Sequence, residues 1–356
     1  MVGRRLGDSF AIVDATIVTM QPLAGDARRA RVDDDDLGIV KRGAVVVREG
    51  SIAAIGAGVR PPADLEVLDA RGRLVLPGFV DAHTHALFAG DRVADFEALA
   101  AGLPPRLGIR YTVEQTRSCT PDALVAAGAR HLGLMLEHGT TTAEVKTGYE
   151  LTPDGEVAML EAMATLDARP DMPHVVATFC GAHALPPEFD SFDAFVDELL
   201  ARILPRVVET GIARFADAFC ENGFFTPAQS RRFLRACADA GLGLRIHADE
   251  LALSGGAMLA ADLRCDSADH LNFVDPAGIE AIAAAGSTAV LCPATCAYLG
   301  LARYAPARDL IAAGVPVALA TDFNPGTSPS PSLQMVAHLA RRHMQMTVAE
   351  TVAAIT

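Results

Sequence analysis

The chain has 356 residues, 51% of them hydrophobic, and its 44 acidic against 30 basic side chains give a formal net charge of −14. Scattered basic residues on an acidic chain argue against nucleic-acid binding, which needs a surface that neutralises phosphates. No apolar run reaches the roughly 18 residues that span a bilayer, and the first residues lack a signal-peptide pattern. Seven cysteines, none in a Cys-x-x-Cys pair, predict reduced thiols and a cytoplasmic setting. The length suits one α/β barrel, typically about 250 residues, plus a small accessory domain.

Residues 1–76 read as a small β domain. The segments "FAIVDATIVTM", "GAVVVREGSIAAIG" and "LEVLDARGRLVLPG" alternate Val and Ile with polar residues, and Gly or Asp marks the turns, as in antiparallel hairpins. Asp33 to Asp36 resemble a chelating cluster, but consecutive side chains diverge, so a solvated loop is expected. From Pro77 to Thr356 short apolar segments alternate with Ala/Leu-rich stretches of helical period, which predicts parallel βαβ units. The strand ends "GFVDAHTH", "TTAEVKTG", "VVATFCGAHA", "ADAFCE", "LRIHADE", "DSADHL", "AVLCPAT" and "VALATDFNPG" number eight, as closure of a TIM-type (β/α)8 barrel requires. Polar residues follow each apolar strand core, at the end where barrels gather catalytic groups.

His83 and His85 end the first barrel strand two residues apart, so both imidazoles face one side. His247 ends the fifth strand and Asp322 the eighth. Three imidazoles and a carboxylate suit one Zn²⁺ or iron ion with a position left for water. Glu250, three residues after His247, is placed to carry a proton, and His270 on the sixth strand could be a ligand or could hydrogen-bond an oxyanion. Asp249 and Asp269 alternate away from these residues and are expected to support them or to be solvated. Singly, each histidine would be read as a satisfied core residue; together at one barrel mouth they predict a metal centre.

These residues match a family. His-x-His on strand one, His on strands five and six and Asp on strand eight resemble the amidohydrolase superfamily. The segments "PGFVDAHTHALFAGDR", "TTAEVKTGYEL", "GAHALPPEF", "DAFCENGFF", "HADEL", "SADHL" and "LATDFNPGTSP" resemble its imidazolonepropionase branch. The resemblance implies hydrolysis of the ring amide of 4-imidazolone-5-propanoate to N-formimidoyl-glutamate by a metal-activated water, in histidine breakdown. It implies His83, His85, His247 and Asp322 as metal ligands, Glu250 as acid–base and His270 as carbonyl polariser. Arg92, Tyr149, His183, Asn324 and Gly326 then contact the substrate. An acidic chain needs a local cation for an anionic substrate, and Arg92 supplies it.

Three departures stand out. Pro104 and Pro105 fall where the family has a tyrosine, Ala294 replaces a common glycine, and the chain ends at Thr356 where relatives continue with strands of the small domain. That domain, β-sandwich-like in the family, is therefore expected to be incomplete, and a chain extended by such a tail to melt higher. Some superfamily members bridge two metals with a carboxylated lysine, but Lys146 lies on strand two, a different strand, while strand four ends in Cys220 and Glu221, so one metal is expected. Alternatives are another cyclic amidase or a deaminase of a nitrogen heterocycle, or a silent scaffold, which would hold no stoichiometric metal. Ala/Leu-rich helix faces are compatible with a homodimer.

Overall fold

The computed structural model describes residues 7–21 and 29–356; residues 1–6 and 22–28, both within the expected β domain and the first including the start of the chain read for a signal peptide, lie outside the described residues. The chain divides into two compact units, Met1–Gly78 and Phe79–Thr356. In the first unit β1 (Phe10–Val18), β2 (Ile39–Arg48) and β3 (Ser51–Gly56) pair antiparallel in the order β3-β2-β1. Glu49 and Gly50, both at positive φ (50° and 74°), make the tight β2–β3 turn, the conformation that suits the twist of a two-residue hairpin. Ala15, Ile17, Val45 and Ala70 form its small core.

The third segment departs from the hairpin expectation. β4 (Glu66–Asp69) and β5 (Leu74–Val75) both run parallel to β1. A bulge in β1 at Asp14, whose φ is 49° and where the register with β2 shifts, separates the two pairings. β4 pairs before the bulge and β5 after it, and between them Ala70 N donates to Val13 O and Gly72 N to Asp14 O. The two short strands are joined by a tight turn at Arg71 and Gly72, both at positive φ (52° and 74°), so that they follow the kinked β1 on either side of its bulge. The aspartate run also departs in part: Asp33 to Asp35 are exposed, but Asp36 is buried and accepts from Asp33 N and Arg29, closing a short helical turn.

The second unit is the barrel. Its strands are β6 (Phe79–Asp81), β7 (Thr140–Lys146), β8 (His174–Ala182), β9 (Phe215–Cys220), β10 (Gly243–Ala248), β11 (Ser267–His270), β12 (Thr288–Leu291) and β13 (Val317–Leu319), each parallel to its neighbour. Closure between β13 and β6 takes place just past the strand ends. Thr84 and Phe323 form a parallel bridge, Asp322 N donates to His83 O, and His85 N donates to Phe323 O. Below this bridge the buried Asp81 carboxylate accepts from the amide and hydroxyl of Thr321. The seam of the barrel is therefore sewn by the segments that carry His83, His85 and Asp322.

The helices begin where the sequence places caps. Pro121–Glu137, Pro153–Asp167, Pro227–Asp239 and Pro276–Ala285 start with proline behind Thr120, Thr152, Thr226 and Asp275, whose side chains accept from the third helical amide. Proline loses nothing at that position, and each cap contributes about 1 kcal/mol.

Glu156, in the first turn of helix Pro153–Asp167, is fully buried and accepts from Gly148 N and Leu151 N, which ties down the loop after β7. Burial pushes its carboxyl up from the ordinary 4.5 to about 7. The native state thus binds more protons than the unfolded chain between those values, so this group's contribution to stability falls as pH rises from about 4.5 to about 7. Glu156→Gln should remove that dependence. Urea unfolding should show the variant gaining on the parent by the order of 2 kcal/mol between about pH 5 and pH 8; an equal difference at both pH values would show that Glu156 does not titrate in this range.

Candidate metal centre and active-site cavity

At the C-terminal mouth of the barrel His83, His85 and His247 come together, all buried. Two of them are held from behind. His83 Nδ1 donates to Asp269 Oδ2 at 2.6 Å, and His247 Nδ1 donates to Asp217 Oδ1 at 2.8 Å. Each carboxylate thereby leaves a lone pair on Nε2 facing the cluster. His85 Nε2 lies 3.2 Å from His247 Nε2, and Asp322 Oδ1 lies 3.5 Å from His83 Nε2 and 3.7 Å from His85 Nε2. His83 Nε2 has no hydrogen-bond partner.

Donors about 2 Å from a shared tetrahedral ion stand roughly 3.3 Å apart, so this quartet has the spacing of a cation site. The donor chemistry fits as well. Burial, then the Lys146 charge, holds His83 neutral; burial, then His183, does the same for His85. Burial raises the Asp322 carboxyl to about 6, against the hydrogen bond from Thr295 Oγ1. A cation at the centre would offset that penalty by favouring the ionised carboxylate.

A cavity of about 310 Å³ opens beside the quartet, with Arg92, Tyr149, His183, Glu250, His270 and Asn324 among its polar walls and Ile109, Phe219, Phe224 and Leu299 among its apolar ones. Glu250 is buried, and burial, then the charges of Asp322 and Glu221, pushes its carboxyl well above the ordinary range. Its Oε2 lies 3.8 Å from His270 Nε2. Neither ring nitrogen of His270 has a hydrogen-bond partner, and burial keeps the ring neutral. His270, Asp249 and Asp322 all have positive φ (73°, 49° and 51°). Such backbone is uncommon for non-glycine residues, and here it turns side chains at the strand ends.

His183 stacks on His85, with centroids 4.6 Å apart, and its Nδ1 donates to Gly148 O. Burial, then the His247 charge, lowers its pKa to about 3. Gly148, at φ 100°, is a close approach: a Cβ there would strike Cys180 O and the His183 side chain, and the glycine lets Tyr149 enter the site. Arg92 Nε is fixed by Asp95 Oδ2 at 2.7 Å. Its guanidinium rests against Gly326, where any Cβ would overlap it. Gly326 thus stands behind Arg92 and not in the cavity wall, whereas Asn324 lines the cavity but spends its amide on Asp322 O, Gly326 N and Thr327. Pro105 lines the cavity, and Ala294 is buried in helix Pro293–Leu299.

Sequence reading left several supporting residues without a role. Asp217 was not singled out, although a carboxylate inside the apolar run "FADAFC" shares a face with Phe219, by alternation along the strand. The same alternation pairs Glu144 with Lys146 and Arg245 with His247. Asp269 supports His83, while Asp249 is buried and accepts from Ser254, Gly255, Gly256 and Ala257, fixing the start of helix Gly256–Leu263. Glu221 accepts from the amides of Asn222, Leu251 and Ala252, which uses it as a loop anchor.

Residues 74–356 match the family model described as "Amidohydrolase family". Imidazolonepropionase of Bacillus velezensis is 47% identical over 298 residues, 82% of this chain and 70% of its own. Imidazolonepropionase of Bdellovibrio bacteriovorus is 41% identical over 354 residues, 96% of this chain and 82% of its own. The chain belongs to the imidazolonepropionase family of amidohydrolases. Among solved structures, the fold of this amidohydrolase is similar to 5-methylcytosine deaminase of Klebsiella pneumoniae (TM-score 0.72, 15% identity, 98% of this chain and 84% of that one). It is also similar to E. coli guanine deaminase (TM-score 0.67, 15% identity, 98% and 82%). At such identity they speak for the architecture alone.

If the quartet is the cation site of this amidohydrolase, His85→Ala should weaken divalent-metal binding by at least about 100-fold, more than outer partners cost. Competition with a chromophoric chelator measures this, and unchanged affinity would place the ion elsewhere.

Proposed function

We infer that the chain opens the ring of 4-imidazolone-5-propanoate by hydrolysis of its cyclic C–N amide bond, giving N-formimidoyl-L-glutamate in histidine degradation. The observation that carries this reading is the convergence of three buried imidazoles and Asp322 beside a cavity that also holds an arginine, a glutamic acid and an unpartnered histidine. His83, His85, His247 and Asp322 would hold one divalent metal, zinc or iron, both of which accept nitrogen and carboxylate ligands. Such an ion supplies Lewis acidity, which lowers the pKa of water and polarises a carbonyl.

The chain's own residues do the rest. The Glu250 carboxylate takes the proton of the attacking water and returns it to the ring nitrogen as the C–N bond breaks, leaving a new carboxylate and a formimidoyl nitrogen. A buried carboxyl with a raised pKa is suited to holding that proton between the two steps. His270, neutral and with both ring nitrogens free of protein partners, donates to the carbonyl oxygen as it gains charge. Arg92 pairs with the propanoate through the amines that Asp95 leaves open. Tyr149 and His183 bound the ring, and the apolar walls exclude bulk water. The seven free thiols accord with a cytoplasmic enzyme.

Ultraviolet assay with freshly made imidazolonepropanoate tests the reading. Absorbance should fall with the native protein and stop falling after chelation; turnover that survives chelation would remove the metal from the reaction. Arg92→Ala should raise KM at least about 10-fold, by removing a charge-assisted contact of 1.5–3 kcal/mol. Gly326→Ala, by pushing Arg92 aside, should raise KM in the same direction while metal content stays at the parental value. Turnover of imidazolonepropanoate untouched by Arg92→Ala would reject this substrate assignment.

A further inference from the structure

Beneath the histidines the barrel interior is ionic. Glu144 and Lys146 on β7, Asp217 on β9, Arg245 on β10 and Asp269 on β11 are all more than nine-tenths buried. Lys146 Nζ donates to Glu144 Oε1 at 2.8 Å and to Asp217 Oδ2 at 2.7 Å, and lies 4.0 Å from Asp269 Oδ2. Arg245 Nη2 donates to Asp269 Oδ2 at 3.0 Å and also to Ala82 O, just before His83. Its Nε lies 3.8 Å from Glu144 Oε1.

This layer is costly. Barrel interiors are ordinarily filled by branched apolar side chains, and each buried ion loses several kcal/mol of hydration that its pairing only partly restores. An apolar layer of equal volume would hold the barrel at least as well. The geometry shows what the charges do instead. Asp217 is gripped at both ends: Oδ2 takes Lys146, while Oδ1 takes both the amide and Nδ1 of His247. Asp269 Oδ2 takes His83 Nδ1 on one side and Arg245 on the other. Two cations thus pin the two carboxylates that aim two imidazoles.

We propose that Lys146 is a positioning residue for the metal-binding histidine His247, acting through Asp217, while Arg245 holds Asp269 behind His83. The inference rests on the metal reading given above. A carbamate on this lysine would add an anion between Asp217 and Glu144, so the carboxylated, metal-bridging role of lysines in some relatives does not apply to it. Removing the ammonium leaves Asp217 Oδ2 without its partner and free to rotate, and His247 then loses the acceptor that holds its Nδ1–H and its orientation.

The test is a double-mutant cycle on the full chain without substrate: parent, Lys146→Met, Asp217→Asn and the double variant, each stripped of metal and titrated with zinc against a competing chelator. Lys146→Met should weaken zinc binding 10- to 100-fold, the range for partners behind metal ligands. In the Asp217→Asn background the same substitution should weaken it less than about threefold, because the intermediary is already lost. Folding is checked by the melting of the metal-free forms, and if Lys146→Met does not fold, Lys146→Gln takes its place with the same expected outcomes. Zinc affinity within about twofold of the parent, or two effects that simply multiply in the double variant, would overturn the proposal. Because no substrate is present, the outcome is independent of which ring the enzyme opens.

Discussion

A buried imidazole must place both of its nitrogens, and this molecule meets that demand in the same way twice. Asp269 and Asp217 take the Nδ1 protons of His83 and His247, so the remaining lone pairs have nowhere to go but inward. Without water, burial keeps the rings of His83 and His85 neutral, which is the form that binds a metal. The cation site is thus a consequence of hydrogen-bond bookkeeping in a closed space, with the Asp322 carboxylate facing the lone pairs.

The same residues close the barrel. β6 and β13 are short, and the bonds that join them lie at Thr84–Phe323, Asp322–His83 and His85–Phe323, past their ends. Donor spacing among His83, His85 and Asp322 is therefore set by the main-chain ladder of the seam, while His247 enters from β10. Left-handed backbone at Asp249, His270 and Asp322 is the local strain that this geometry entails. Thr321 and Asp81 below the bridge, and Thr295 beside Asp322, hold the turns in place.

An acidic chain that takes an anion must separate attraction from repulsion within one cavity. Glu250 and Asp322 stand on the side of the histidines, while Arg92 is fixed by Asp95 and backed by Gly326. Asp95 also accepts from the amides of Arg106, Leu107 and Gly108, next to Pro105 in the cavity wall. The stretch around Pro104 and Pro105 is thereby tied to the arginine through Asp95.

What the sequence determined by itself follows from periodicity and from residue chemistry. Eight apolar segments with polar ends, separated by stretches of helical period, suffice for a parallel barrel with its chemistry at one mouth. Alternation along a strand was enough to pair His83 with His85. The tertiary structure decided whatever depends on which strand lies beside which. Asp217 reads as an ordinary strand residue until β9 is placed next to β10, and Lys146 reads as a base beside its strand neighbour Glu144 until the barrel brings Asp217 within 2.7 Å of it. The parallel course of β4 and β5 beside β1, on either side of the bulge at Asp14, is likewise a pairing with no periodic signature. Local pattern encodes which face a side chain occupies, but partners come from other strands, and only packing brings those together.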